Sequence, residues 1–224
     1  MIDSFTGEYE FLTNFYNQDS YFVYNNLRWD SAEAAFQAMK YDGNNKQKIH
    51  KIFSKLTPSE AKQLGKAIQL RSDWDSVKVS IMEEILKEKF SIPDLKQLLI
   101  STNGKDLVEG NTWHDNFWGN CTCDKCKNIE GQNILGKLLK RIRKRVSLAD
   151  GIQNTDPLEP VDFFKDPKKI LNDFNSIYNV FSQCNNINNA YLNINNIVNE
   201  VINNNDLLDN SNLLDNSSFL KNNY

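Results

Sequence analysis

The sequence predicts an α+β protein: a mostly helical single domain with a small antiparallel sheet near its start, followed by an Asn-rich C-terminal extension. Three observations predict this class. Several segments repeat apolar residues at helical spacing, one short segment has the pattern of a β-hairpin, and the composition changes near residue 150. Asn marks that change best, with 12 residues in 1–150 and 20 in 151–224.

The hairpin is predicted over residues 21–29, because two β-prone runs flank the two-residue turn Asn25-Asn26. Asp30 or Ser31 can cap a helix that continues through Tyr41. Further helices are predicted from Thr57, over residues 73–90, from Pro93 and over residues 131–146. The domain is expected to cover residues 1–148.

The extension is expected to cover residues 149–224. Turn formers between Gly151 and Pro160 predict a linker. Apolar residues between 170 and 198 recur at helical spacing, so this part is expected to be partly helical. Residues 203–224 are rich in Asn, Asp and Ser, which is typical of a disordered end. The Asn richness reflects either base composition or an accessory docking hairpin.

The length and composition exclude several classes of protein. A chain of 224 residues can bury a core without cross-links. It has no apolar run of about 18 residues, so a membrane span is not expected. Residues 1–5 lack the pattern of a secretory signal, and four cysteines do not make a disulfide scaffold, so a cytoplasmic setting is expected. The net charge of −3 gives no general attraction to nucleic acid.

Glu33, Gln37 and Lys40 share one face of the first predicted helix. A carboxylate, an amide and an ammonium group on one face can bind a sugar or a phosphate. The alternative is an ordinary solvated face, and spacing alone favours that alternative.

The segment 111–119 places Trp113, Phe117 and Trp118 around His114 and Asp115. Aromatic side chains beside a carboxylate can form the wall of a cleft and stack on a base. They can equally fill the core, and the sequence does not separate these two interpretations.

A glycine-containing segment and a basic cluster follow further along the sequence. Residues 131–136 can open a helix and offer backbone N–H groups to an anion, although the spacing does not match a dinucleotide motif. The next turns carry a basic cluster that serves either solubility and the helix dipole or a nucleic-acid surface, and the first is favoured. The cluster contains Lys137, Lys140, Arg141, Arg143, Lys144 and Arg145.

Cys121, Cys123 and Cys126 have the spacing C-x-C-x2-C, which can supply three zinc ligands. His114 is the nearest candidate for the fourth ligand and Cys184 is a distant one. The residues alone slightly favour reduced surface cysteines over a structural zinc site, and redox chemistry is the least favoured.

Six ordered motifs between Phe5 and Val146 together resemble the NADAR family of YbiA-like proteins. They include residues 7–15, residues 29–40, Leu70-Arg71 to Trp74, residues 98–109, residues 115–119 and residues 131–136. Ala34 departs from the family pattern, because many relatives have a polar residue beside the Glu.

This resemblance implies an N-glycosidase that hydrolyses the C1′–N bond of an N-ribosyl or ADP-ribosyl compound. The implied substrate is either a ribosylamino-pyrimidine phosphate of riboflavin biosynthesis or ADP-ribosylated guanine in nucleic acid. The alternative is a non-catalytic module that senses NAD or ADP-ribose. The chemistry needs no cofactor, a structural zinc is possible, nucleic acid is a possible partner, and no membrane is expected.

Glycoside hydrolysis uses a carboxylate near C1′ and a second acid that protonates the leaving group. We assign the first role to Glu33 and the partner role to Asp115. Lys40 and Arg71 are expected to hold phosphate oxygens. The other expected substrate-binding residues are Trp74 and Trp118, which stack on the base, and Asn14, Glu109, Gly119 and Asn133 around the ribose. The expected metal ligands are His114, Cys121, Cys123 and Cys126.

Overall fold

The computed structural model describes residues 1–17 and 20–156. The predictions for residues 170–224 therefore lie outside the described residues. In chain order the elements are a 3₁₀ helix Gly7–Leu12, β1 Phe22–Tyr24, β2 Leu27–Trp29, α1 Ala32–Ala38, α2 Lys46–Phe53, α3 Pro58–Gly65, α4 Trp74–Lys89, α5 Pro93–Ser101, β3 Gly110–Asn111, β4 Asn120–Cys121 and α6 Ile134–Ala149. None of the helices within the described part of the chain has the length and apolarity needed to cross a membrane.

The hairpin is confirmed. β1 and β2 pair antiparallel, with Phe22 opposite Trp29. Asn25 and Asn26 both adopt positive φ, 50° and 61°, which is the backbone of the tight hairpin turn that Asn tolerates. The Trp29 indole donates to the carbonyl of Tyr24 over 2.9 Å, so the fully buried ring also closes the turn.

Helix α1 lies at the centre of the fold. All seven of its residues are buried, and it packs against α2, α3 and α4. Burying a short helix on every side requires neighbours all round, and α3 and α4 supply much of that apolar surface. The elements that follow α1 in the chain therefore wrap the polar residues of α1 as well as the apolar ones.

The boundaries of two predicted helices differ from the prediction. α1 ends at Ala38 and not at Tyr41. α6 begins at Ile134 and not at Gly131, because Asn133 has a left-handed backbone with φ 50° that the helix cannot continue through. The 3₁₀ helix, α2 and the parallel pair β3–β4 were not predicted. Two-residue strands are too short to show any periodicity.

Lys89 on α4 is fully buried although its side chain is ionisable. Its ammonium donates to the carbonyls of Phe11 and Thr13 over 2.7 Å each. Burial lowers the pKa of Lys89 to about 7. The lysine therefore fixes the end of the 3₁₀ helix, immediately before Asn14.

Most side chains of the basic cluster of α6 form ion pairs with carboxylates of the same protein. Lys140 pairs with Asp106 at 2.8 Å, and Arg141 and Arg145 both pair with Glu83. Arg143 is fully buried and contacts Asp156 through two hydrogen bonds of 2.6 and 2.7 Å. The cluster therefore serves packing within the protein more than a free basic surface. Asp156 lies inside the predicted linker, so the chain stays attached to the domain to that point.

Candidate functional site

Glu33 is held at the start of α1 by two backbone contacts. The Ser31 hydroxyl caps the helix by accepting from the Ala34 N–H over 3.2 Å. The N–H of Glu33 itself donates to the carbonyl of Asn14 over 2.8 Å, which joins the helix to the segment after the 3₁₀ helix. Glu33 and Gln37 are each only 5% exposed. The solvated-face alternative is therefore wrong for these two residues.

The cost of burying the Glu33 carboxylate is partly offset by neighbouring polar and charged groups. Gln37 Nε2 donates to Glu33 Oε1 over 2.8 Å. Burial raises the pKa of Glu33, while the Lys62 ammonium, the Gln37 hydrogen bond and Lys40 lower it. Burial also lowers the pKa of Lys40, against the opposing effect of Glu33. Glu33 therefore interacts with both Gln37 and Lys40, and these three residues form one electrostatic unit.

Lys62 on α3 belongs to this unit, although the sequence analysis did not select it. It acts on Glu33, on Lys40 and on Glu109. The close approach of α3 to α1 depends on Gly65, because a Cβ there would overlap the Gln37 side chain. No motif in the sequence marks Lys62, since its proximity to Glu33 follows only from the packing of the two helices.

Glu109 is the second carboxyl of the site and is half-buried. Burial and the nearby Asp115 raise the pKa of Glu109 to about 7, and Lys62 opposes that rise. Its Oε2 atom is buried and has no hydrogen-bond partner within the described residues. A carboxyl with a pKa near neutrality can hold a proton and release it, which is the property of a general acid.

Asp115 lies near Glu109 but its carboxylate is engaged by its own loop. Asp115 Oδ1 accepts from the backbone N–H groups of Phe117 and Trp118 over 3.0 and 2.8 Å. The Asn111 side chain donates to the Asp115 carbonyl over 2.7 Å. These contacts give Asp115 a structural task in addition to its electrostatic effect on Glu109.

Asn133 and Gly119 both contact the backbone of Glu109. Asn133 Oδ1 accepts from the Glu109 N–H over 3.0 Å, and Asn133 Nδ2 donates to the Leu107 carbonyl over 2.8 Å. A Cβ at Gly119 would overlap the Glu109 carbonyl. Both residues therefore position Glu109, and the amide of Asn133 is already hydrogen-bonded on both of its ends.

The two tryptophans flank Phe36. The ring centroids of Phe36 and Trp74 are 5.0 Å apart, and those of Phe36 and Trp118 are 5.4 Å apart. Trp74 is buried, which fits a core residue. Trp118 is half-buried and also packs edge-on against Phe117. Trp118 is thus the better placed of the two to contact a bound base.

Arg71 differs from the prediction in its surroundings. Its guanidinium binds both oxygens of Asp73, over 2.6 and 2.9 Å, and lies 3.8 Å from Asp42. The Asp73 hydrogen bonds raise the pKa of Arg71 above its usual range. The positive charge is therefore already balanced, and Lys62 and Lys40 act on Glu33 instead.

Unpaired acceptors concentrate in this region. Asn14 Oδ1, Gln37 Oε1 and Glu109 Oε2 are buried side-chain atoms without a hydrogen-bond partner, and Arg141 Nε is the remaining such atom among the described residues. Buried polar atoms are normally paired, so such atoms call for an explanation. Acceptors of this kind can bind the hydroxyl or N–H groups of a sugar or a base.

The predicted metal ligands also come together. The ligand atoms of His114, Cys121, Cys123 and Cys126 all lie within 4.8 Å of one another. They can hold a metal ion. Their loop also carries Asp115, Trp118 and Gly119.

Comparisons with known proteins agree with this fold. The NADAR domain model matches residues 4–147. The chain is 38% identical over 122 residues to N-glycosidase Npun_R5314 of Nostoc punctiforme, covering 53% of this chain and 74% of that protein. It is 34% identical over 129 residues to the chloroplastic riboflavin biosynthesis protein PYRR of Zea mays, covering 53% of this chain. The match spans only 20% of that maize protein.

The fold is also that of a solved structure. The NMR structure of the E. coli protein YbiA superposes with a TM-score of 0.55 at 27% identity, covering 69% of this chain and 91% of YbiA. The domain match spans all the elements from the 3₁₀ helix to most of α6, and both carboxyls of the site lie within it. The chain therefore belongs to the NADAR family.

Proposed function

We propose that this chain is an N-glycosidase that hydrolyses the C1′–N bond of a phosphorylated N-ribosyl pyrimidine of the riboflavin pathway. Membership of the NADAR family and a relative named N-glycosidase support the reaction class. The relative named a riboflavin biosynthesis protein supports this class of substrate.

One observation carries the proposal: the buried carboxyl of Glu33 and the half-buried carboxyl of Glu109 are both affected by Lys62 and both have raised pKa values. Buried acceptors of Asn14, Gln37 and Glu109 accompany them. Cleavage of a ribosyl C1′–N bond builds positive charge on the sugar and negative charge on the leaving nitrogen. A carboxylate and a protonated carboxyl meet those two needs.

In the proposed reaction, Glu33 is ionised and accepts a proton from the attacking water. The water oxygen bonds to C1′, and the electron pair of the C1′–N bond passes to the nitrogen. Glu109, protonated below about pH 7, donates its proton to that nitrogen. Exchange with solvent then returns both carboxyls to their starting state. The scheme uses no cofactor.

Asp115 has a supporting role in this scheme, which revises the partner role expected from the sequence. Its negative charge adds to the effect of burial in raising the pKa of Glu109, and its hydrogen bonds hold the backbone of Phe117 and Trp118. Asn133 and Gly119 position Glu109. Trp118 stacks on the leaving base, and Asn14 accepts from the ribose.

We assign the binding of the substrate phosphate to lysine side chains. Besides burial, the charges of Lys62 and Lys66 lower the pKa of Lys40, so these three ammonium groups repel one another. An anion would relieve their mutual repulsion. Arg71 is less suited to this role than the sequence suggested, because Asp73 already holds its guanidinium.

Two alternatives remain as proposals of lower rank. ADP-ribosylated guanine in nucleic acid would need a basic surface, and the ion pairs of Lys140, Arg141 and Arg145 weaken that argument. A non-catalytic sensor of NAD or ADP-ribose would not need two carboxyls of raised pKa.

The test supplies the purified protein with the ribosylamino-pyrimidine phosphate and, separately, with ADP-ribosyl-guanine DNA. Release of the free base is followed by mass spectrometry. We expect turnover of the first substrate and a loss of about 10²-fold or more in Glu33→Gln, the range of one acid or base group. Removing the 5′-phosphate from the substrate should raise KM in wild type but much less in Lys62→Ala.

Glu88→Gln is the matched control, because Glu88 is an exposed carboxylate on α4 away from this site. It should retain wild-type turnover. Wild-type activity in a folded Glu33→Gln protein would refute the role of Glu33. Binding of ADP-ribose without any base release would favour the sensor.

A further inference from the structure

The loop between β3 and α6 brings three thiols and one imidazole to a single point. His114 Nδ1 lies 3.1 Å from Cys123 Sγ and 3.4 Å from Cys126 Sγ. Cys121 completes the group, whose ligand atoms are all within 4.8 Å of one another. Cys121 and Cys126 are buried and Cys123 is half-buried, whereas His114 is exposed.

We propose that His114, Cys121, Cys123 and Cys126 bind one structural Zn²⁺ ion. Zinc bonds of about 2.3 Å to sulfur and 2.0–2.1 Å to nitrogen put tetrahedral ligand atoms roughly 3.5–3.8 Å apart. The observed separations bracket that range, so shifts below about 1 Å complete the tetrahedron. Four protein ligands leave no open position, which is the arrangement of a structural and not a catalytic zinc site.

The backbone converges on the same point. The His114 N–H donates to Cys121 Sγ over 3.3 Å, the type of contact that stabilises a thiolate ligand. The N–H groups of Cys126 and Lys127 both donate to the Cys123 carbonyl over 2.9 Å, forming the turn that brings Cys123 and Cys126 together.

His114 has a strained backbone that this site explains. Its φ of 70° lies in the left-handed region, which costs a non-glycine residue on the order of 1 kcal/mol or more. That conformation directs the imidazole towards the thiols of Cys123 and Cys126. A metal bond would offset the strain, whereas an exposed histidine without a ligand would gain nothing from it.

The ion would close the stretch 114–121 into a loop. Asp115 follows the first ligand directly, and Gly119 packs on Glu109 before Cys121. Cys121 is further held by Asn116, whose Oδ1 accepts from the Cys121 N–H over 2.9 Å. Zinc therefore stabilises the part of the chain that carries Asp115 and Trp118, without contacting the carboxyls proposed to act on substrate.

The test uses the full chain, purified under reducing conditions without chelators. Zinc per chain is measured by plasma mass spectrometry, and zinc is replaced by cobalt for visible absorption spectra. We expect about one zinc per chain and the charge-transfer and intense visible bands of tetrahedral thiolate-bound cobalt. His114→Ala and Cys123→Ser should each weaken zinc binding by at least about tenfold in competition with a chromophoric chelator.

Cys184→Ser is the matched control, since it removes the one cysteine outside the cluster. It should keep full zinc content, whereas loss of zinc there would assign the fourth ligand to Cys184 and overturn the role of His114. A zinc-free protein that also fails to bind added zinc or cobalt tightly would overturn the site. A disulfide found between these cysteines in the cell-derived protein would overturn it too. Metal content is measured without substrate, so this result is independent of the proposed N-glycosidase reaction.

Discussion

At the scale of residues, burial changes the chemistry of ordinary side chains. Glu33 and Glu109 are common carboxyls, but Glu33 is buried, Glu109 is half-buried, and Asp115 adds a like charge beside Glu109. The two pKa values rise, and Lys62 limits the rise at both. One carboxyl can then be ionised while the other keeps its proton, which is the division of labour that glycoside hydrolysis needs.

The first prediction concerns the pH dependence of turnover. Because the proposed reaction needs a protonated Glu109 and the pKa of this carboxyl is about 7, kcat should fall as pH rises through about 7. Asp115→Asn removes the like charge that raises this pKa but keeps an oxygen to accept from Phe117 and Trp118. The alkaline fall of its pH–rate profile should therefore move to lower pH.

A loss of about 10²-fold or more at every pH in Asp115→Asn would contradict this assignment and return the proton-donor role to Asp115. Glu88→Gln, measured beside it, should keep the wild-type midpoint.

The free energy of unfolding should also depend on the ionisation of Glu109. The folded pKa of Glu109 is raised, so its contribution is complete below about pH 4.5 and is lost as pH rises through about 7. Glutamine does not ionise, so Glu109→Gln should abolish this fall of folding stability with pH.

At the scale of elements, the site depends on how closely α3 packs on α1. Gly65 ends α3 against the side chain of Gln37, and Lys40 reaches the Gly65 carbonyl over 3.5 Å. Gln37 in turn donates to Glu33. The packing of two helices thus sets the orientation of a carboxylate that belongs to only one of them.

The second prediction is that Gly65→Ala lowers kcat by about tenfold with little change in stability. The added methyl group displaces the Gln37 amide and breaks its hydrogen bond to Glu33, worth about 1–2 kcal/mol. Alanine in a helix gains about 1 kcal/mol over glycine, which offsets the steric cost. Kinetics and chemical denaturation of the variant measure the two effects.

Gln63→Ala is the control for this helix, because Gln63 is exposed on α3 and should change neither quantity. A Gly65→Ala protein with unaltered kcat would mean that Gln37 does not orient Glu33.

At the scale of the whole molecule, the chain remains part of the domain beyond α6. Asp156 forms two hydrogen bonds to the buried guanidinium of Arg143, which also donates to Thr102 and Lys105. These contacts tie α6 to the segment after α5 and to the chain that leaves the domain. The family match ends at residue 147, before this pair is complete.

The third prediction compares two truncations. A chain ending after Leu148 lacks Asp156 and leaves the Arg143 charge buried without its partner, which costs about 3–5 kcal/mol. A chain ending after Phe163, where the first compact unit ends, keeps the pair and should unfold near the full-length midpoint. Thermal and chemical unfolding compare the two.

Asp156→Ala in the full-length chain separates the ion pair from the other contacts of residues 149–156. It should reproduce most of the stability loss of the shorter truncation. Equal stability of both truncations would show that the domain is complete at residue 148, the boundary expected from the sequence.

The sequence alone determined what depends on local pattern. The hairpin follows from β-prone runs around Asn25-Asn26, α3 from the helix start predicted at Thr57, and family membership from ordered motifs that need no coordinates. The C-x-C-x2-C spacing with His114 also predicted the cluster that the structure assembles. The catalytic and binding roles stay predictions.

Only the tertiary structure decided what depends on contacts between distant segments. Spacing alone made Glu33 and Gln37 a solvated face, and their burial depends on the helices that surround α1. Glu109 gains its raised pKa from burial and from Asp115, and Lys62 enters the site from α3. Asn133 and Arg71 proved to be engaged by protein partners. Periodicity reports which residues share a face, but burial and the charges that surround a group are set by the neighbours that packing brings to that face.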